Sequence, residues 1–108
     1  MKQGMLERLF SIENKVVVVT GGGGAIAGAL AQSAARCGAK IAVLDLDEQK
    51  ADEVASQIIA HNGQAMALPC DVLNREFLSE CCDQIVDRFG RIDGLINGAG
   101  GNCTVYFY

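Results

Sequence analysis

Two kinds of apolar segment alternate along this chain. Lys15 to Thr20, "KVVVVT", is a short β-branched run with no polar residue among its valines. Such a run suits a strand buried on both faces, as in a parallel sheet. Gly21 to Gly24 interrupt it, and Ala25 to Cys37 reads as a helix that Gly38 stops. "KIAVLD", Lys40 to Asp45, is a second strand. Asp47 can cap a helix reaching about Asn62, in which Ala51, Val54, Ala55 and Ile58 recur at the spacing of one helical face, and Gly63 ends it. "QAMALPCDV", Gln64 to Val72, is a third strand candidate weakened near its end by Pro69. Asn74 can cap a third helix, whose Leu78, Cys81, Cys82, Ile85 and Phe89 share a face and which Gly90 stops. "IDGLIN", Ile92 to Asn97, is the fourth strand.

Short strands alternating with amphipathic helices imply right-handed crossovers and an α/β fold. The expectation is a Rossmann-type parallel sheet with helices on both faces, four strands in the order 3-2-1-4. At 108 residues the chain holds at most one small domain, and it shows no internal repeat, low-complexity stretch or linker. Ile92 to Asn97 then becomes an edge strand without proline or lysine to blunt it. The tail "CTVYFY", Cys103 to Tyr108, is uncharged, β-branched and aromatic. It can fold back on that edge, pair with a second copy or drive aggregation, so a homo-oligomer is expected.

Composition narrows the partners. A formal net charge of −4 without a Lys/Arg cluster gives no electrostatic case for a nucleic-acid partner. The apolar runs are too short to span a membrane, and Met1 to Phe10 lack the apolar stretch of a secretory signal. The five cysteines, Cys37, Cys70, Cys81, Cys82 and Cys103, are odd in number and contain no C-x-x-C pair. Reduced thiols in a cytoplasmic protein are expected, with neither a disulfide framework nor a zinc site. The lone His61 near a helix end suits a dipole or solvent role better than catalysis.

The candidate chemistry lies where the first strand meets its helix. In such sheets ligands sit beyond the carboxyl ends of the strands, where strand order reverses. Glycines there let the backbone turn tightly and let phosphate oxygens approach the amides, and the following helix aims its N-terminal N–H groups at the same point. Gly22, Gly24 and Ala27 fit G-x-G-x-x-G/A. The match alone is weak, since a glycine-rich turn needs no ligand. Its context, after a strand, before a helix and ahead of Asp45 at the tip of the second strand, favours a diphosphate. A nucleotide-triphosphate loop would need Gly-Lys-Ser/Thr, and Gly24 is followed by Ala25. The carboxylate of Asp45 can accept from both ribose hydroxyls and would repel a 2′-phosphate; Asp47 is better placed to cap the next helix. Asp71 after the third strand and "NGAG", Asn97 to Gly100, after the fourth fall at the same edge, where turn chemistry is an equal explanation.

"TGGGGAIAG", "LDLD", "CDV" and "LINGAG" follow the order and spacing of the short-chain dehydrogenase/reductase superfamily, which nearly the whole chain resembles. The resemblance implies an oxidoreductase with NAD as cofactor, moving a hydride to or from a secondary alcohol or ketone. It implies that Thr20, Gly21 and Ile26, with Gly22, Gly23, Gly24 and Ala25, shape the pyrophosphate loop. It implies that Asp45, beside Leu46, selects NAD, that Asp71 and Val72 hold adenine, and that Asn97, Gly98, Ala99 and Gly100 line the adenosine ribose side. The family's usual motifs are T-G-x-x-x-G-x-G and N-N-A-G. Here Ala25 and Ala27 stand for glycines, adding methyls near the phosphates or at the helix–strand contact, and Gly98 stands for the second asparagine. "TGGGG" with "INGAGGN" resembles a mannonate or fructuronate oxidoreductase branch acting on sugar acids.

Family chemistry also uses a serine and a Y-x-x-x-K pair. Neither Tyr106 nor Tyr108 has a lysine four residues on. The expectation is therefore a truncated, frameshifted or fragmentary chain with no catalytic residues of its own, holding the adenosine half of the site. A stand-alone nucleotide-binding module is the alternative. An S-adenosylmethionine methyltransferase is another, disfavoured by Thr20 before the glycines and by "NGAG".

Overall fold

The computed structural model describes residues 11–99 and 104–107. Its elements are β1 (Val16–Thr20), α1 (Ala25–Arg36), β2 (Lys40–Asp45), α2 (Glu48–Ala60), β3 (Gln64–Pro69), α3 (Arg75–Phe89), β4 (Gly94–Asn97) and β5 (Thr104–Phe107). One sheet runs in the order β3-β2-β1-β4-β5. The β1–β2, β1–β4 and β2–β3 pairs are parallel, as the uninterrupted apolar runs predict.

Alternation along β1 explains why its four valines had to be apolar. Val17 and Val19 face α1 and α2, joining Ala27, Ala31, Val54, Ala55 and Ile58 in one core. Val16 and Val18 face α3, joining Leu44, Cys81 and Ile85 in the other. Every residue of β1 is buried, so a polar side chain there must find a partner, as Thr20 does in Asn97.

The helix boundaries follow their caps. Asp47 accepts from the amides of Gln49 and Lys50 at 3.1 and 3.3 Å, and Asn74 accepts from Phe77 at 3.1 Å. Gly38 and Gly90 take φ of +94° and +89°, the left-handed turns that end α1 and α3. His61 sits exposed beyond α2, its Nδ1 2.8 Å from the Gln57 carbonyl oxygen.

Three sequence expectations are corrected. The third strand stops at Pro69 rather than Val72, because the chain turns at Asp71 to start α3. The fourth strand starts at Gly94 rather than Ile92, because the Asp93 side chain takes a backbone donor there. The sheet has five strands rather than four: the tail folds back as β5, antiparallel to β4, with Leu95 beside Tyr106 and Asn97 beside Thr104. β4 is therefore interior, and β5 forms the edge. Cys103 and Tyr108 lie outside the described residues. Among those described, no helix is long and apolar enough to cross a membrane.

Asp93 ties the far end of the sheet. One carboxylate oxygen accepts from the Val16 amide and from Arg91 Nε, each at 2.8 Å, and Arg91 also reaches the Asn14 carbonyl at 3.3 Å. The Val16 amide holds this carboxyl below the usual aspartate range; burial opposes it and Arg91 assists. A depressed folded-state pKa stabilises the fold above the unfolded-state value of about 4, and the contribution is lost as pH falls through the folded value. Asp93→Ala should lower stability by about 1–3 kcal/mol at pH 7, the cost of stranding a buried amide. In urea unfolding, the gap to wild type should be smaller at pH 3 than at pH 7. An equal gap at both pH values would contradict this role for Asp93.

Candidate functional site

The register brings the carboxyl ends of four strands to one edge. Thr20 lies beside both Leu44 and Asn97, and Asp45 beside Pro69. From β1 the next strand in sequence lies to one side and β4 to the other, so the loops diverge and leave a crevice. A cleft of ≈ 560 Å³ opens there, lined by Gly21, Asp45, Leu46, Cys70, Asp71, Val72, Leu73, Asn97, Gly98 and Ala99. That volume lies within the range of small-ligand sites.

The glycines after β1 serve separate purposes. Gly21 has φ +61°, and a Cβ on it would lie 2.8 Å from the Gly98 carbonyl carbon. Gly22 is buried, and its Cβ would lie 2.6 Å from a Val43 methyl. Close packing accounts for both without a ligand. Gly23 donates its amide to Asp45 Oδ2 at 2.9 Å, and its Cβ would lie 2.8 Å from that same oxygen.

Gly24 differs from the rest. Its φ of −73° and ψ of 161° are open to any residue, and the nearest atom to a Cβ is 3.3 Å away. Serine or aspartate there would cap α1; glycine makes no side-chain cap, and no acid stands in the first turn. α2 and α3 instead have side-chain caps, with Glu48 and Glu76 in their first turns. The first-turn amides of Ala25, Ile26 and Ala27 have no acceptor within the helix by its geometry. Together with the helix dipole they can donate to an anion placed at that end.

Asp45 is held at both oxygens. Oδ2 accepts from Gly23, and Oδ1 accepts from the Asp47 amide at 2.9 Å. It caps no helix; Asp47 does. Each carboxylate oxygen keeps a further lone pair, so a fixed, partly exposed acceptor faces the cleft. Asp71 makes a turn and lines the cleft at once: Oδ1 accepts from Leu73 at 3.0 Å and its carbonyl from Asn74 at 3.0 Å. Asn97 Oδ1 accepts from Thr20 Oγ1 at 2.8 Å and from the Ala99 amide at 3.3 Å, and the amide donor fixes which end of the side chain is oxygen. Thr20 is buried beneath this pair.

Gly23, Gly24 and Ala25 lie beside the cleft, on an open groove along α1, and Ile26 projects to solvent. Leu46 is exposed at the cleft's lip. Ala27 lies at the helix–strand contact, buried against Gly98. Gly100 lies outside the described residues. Cys70 and Leu73 line the cleft unanticipated; their signal was adjacency to Asp71 and Val72 in one short connection.

Cys37, Cys70, Cys81 and Cys82 are free thiols. Burial, then the neighbouring Cys70 thiol, pushes Cys81 up to about 12, so it stays protonated. Among the described residues, no group of three or more His, Cys, Asp or Glu could hold a metal ion.

Comparison with known proteins agrees with this geometry. The profile of the short chain dehydrogenases matches residues 15–108. UxuB of Bacillus subtilis, an oxidoreductase, is 41% identical over 85% of this chain and 33% of its own length. D-threitol dehydrogenase of Mycolicibacterium smegmatis is 36% identical over 84% of this chain and 35% of its own. A crystal structure from Haemophilus influenza, described as a candidate D-mannonate oxidoreductase with bound NAD, superposes with a TM-score of 0.82 at 42% identity, over 90% of this chain and 35% of that one. The chain thus spans about a third of the length of the relatives it matches. It belongs to the short chain dehydrogenase family.

Proposed function

We propose that this chain carries the NAD-binding part of an oxidoreductase that, as a whole protein, moves a hydride between NAD and a secondary alcohol or ketone. The uncapped, acid-free start of α1 beside the doubly held Asp45 is the observation that carries this reading. The amides of Ala25 to Ala27 meet the diphosphate. Asp45 accepts from the adenosine ribose hydroxyls, Leu46, Asp71 and Val72 hold the adenine, and Asn97 to Ala99, with Gly100, flank the ribose. When bound, the nicotinamide supplies or accepts the hydride. The residues named here bind the cofactor, and none of them is assigned the proton transfer. Relatives described as D-threitol dehydrogenase, D-mannonate oxidoreductase and xylitol dehydrogenase support a sugar acid or polyol as substrate of the whole protein. A homo-oligomer would form at the outer edge of β5, where Val105 and Tyr106 are half exposed and the strand carries no charge.

The ribose assignment predicts a preference between cofactors. NAD should bind at least tenfold more tightly than NADP, because a 2′-phosphate meets a fixed carboxylate. Asp45→Asn should weaken NAD by about tenfold, about 1.4 kcal/mol, and narrow the preference. Calorimetric titration showing equal NAD and NADP affinities, unchanged by Asp45→Asn, would refute the assignment; S-adenosylmethionine binding in place of NAD would refute the cofactor.

Gly23→Ala tests the support beneath that carboxylate. The added methyl would sit 2.5 Å from Lys50 Cβ and 2.8 Å from Asp45 Oδ2, so Asp45 must move. NAD affinity should fall about tenfold while the circular dichroism stays that of the wild type. Unchanged affinity would mean that the Gly23–Asp45 bond does not position the acceptor.

The third expectation is catalytic silence. The 108-residue chain should bind NAD yet form no NADH from sugar acids or simple alcohols. Steady NADH formation abolished by Tyr106→Phe would contradict it.

A further inference from the structure

We propose that Ala27 and Gly98 act as one coupled position that sets where α1 begins above the strand edge, making Ala27 a positioning residue for the diphosphate donors. The proposal rests on the nucleotide reading of the site. Ala27 is 3% exposed, and its methyl carbon lies 2.6 Å from where a Cβ on Gly98 would be. Two carbons cannot approach that closely, so a side chain at position 98 and a methyl at position 27 exclude one another. Gly98 does not have a left-handed φ; space excludes a side chain there, and backbone conformation does not.

The surroundings leave little freedom to yield. Gly98 donates its amide to the Thr20 carbonyl at 2.8 Å, and it lies so near Gly21 that a Cβ on Gly21 would be 2.8 Å from the Gly98 carbonyl carbon. Asn97 is fixed by Thr20 Oγ1. The loop after β4 is thus clamped to the end of β1, and α1 is the element that must shift if the seam is overfilled. The helix carries its first-turn amides with it. A displacement of a few tenths of an ångström would leave the core helical while spoiling donors that must converge on one phosphate.

The two positions depart from the family's usual residues in opposite senses. The motifs this chain resembles have glycine at position 27 and asparagine at position 98, where this chain has alanine and glycine. The seam is filled from the helix side here, by a methyl, with no amide side chain entering from the strand side. The substitutions therefore compensate one another: either one without the other would leave the seam overfilled or underfilled.

A double-mutant cycle on the full chain tests this. Gly98→Asn alone should lower the thermal midpoint and weaken NAD at least tenfold. Ala27→Gly alone should weaken NAD three- to tenfold at a temperature where the chain is fully folded, a change that a purely structural role would not cause. Ala27→Gly combined with Gly98→Asn should recover at least half of what Gly98→Asn loses, in both midpoint and affinity. Recovery stops short of complete because a side chain at position 98 also meets the Thr20 carbonyl oxygen at 2.9 Å. If Gly98→Asn does not fold, Gly98→Ala replaces it, since its methyl meets Ala27 at the same 2.6 Å. Additive losses in the cycle would overturn the coupling. Wild-type affinity unchanged in folded Ala27→Gly would overturn the positioning role. A wild-type chain that binds no NAD would sink the nucleotide reading and with it the positioning role, while the midpoints still decide the coupling.

Discussion

Backbone must touch backbone where β1 leaves the sheet. The chain turns there between the tip of β2 and the loop after β4, and at Gly21, Gly22 and Gly98 a side chain would collide within 3 Å. That contact draws the loops together at the reversal of strand order. It holds the start of α1 against the sheet rather than out in solvent, and it leaves a cleft beside the loop instead of a filled core. Asp45 can be pinned by the Gly23 amide only because the loop comes so close. A wider loop would keep the strands but lose the site.

The electrostatics follow from that geometry. A helix start in contact with the sheet needs its amides satisfied, and α2 and α3 do so with their own aspartate and asparagine. α1 has glycine at the same place, with no side-chain cap and no acid in its first turn. A carboxylate brought close in space, at the tip of β2, would ordinarily repel an anion. Its oxygens are held by the Gly23 and Asp47 amides, which fix it as an acceptor at the edge of the cleft. One edge of the sheet thus presents donors and a fixed acceptor side by side, the pattern an adenosine diphosphate matches.

Much of this was legible in the residues. The uninterrupted valines of β1 could only be buried on both faces, and Asp47, Asn74 and Gly90 marked helix ends that the structure keeps. The glycine loop and Asp45 were legible because their chemistry is local to the chain. Asp93 was not: its partner is the Val16 amide, 77 residues away, and an aspartate beside an arginine reads as surface. β5 was only one of three fates open to an uncharged tail, since nothing local chooses between its own sheet and another copy. The facing of Ala27 and Gly98 was hidden because each position, taken singly, reads as a small residue replacing another. Asp71 reads as turn or ligand from sequence, and in the structure it lines the cleft through the same turn.

The central claim is that the first turn of α1 and Asp45 form one adenosine diphosphate site. Titrating the 15N-labelled chain with ADP-ribose, which lacks the nicotinamide, tests it most directly through the backbone amide resonances. The account predicts concerted, saturable shifts at Gly23 to Ala27, at Asp45 to Asp47 and at Asp71 to Val72, with little change at the Asp93 end of the sheet. Shifts confined to β5, or none at all with the chain folded, would contradict it.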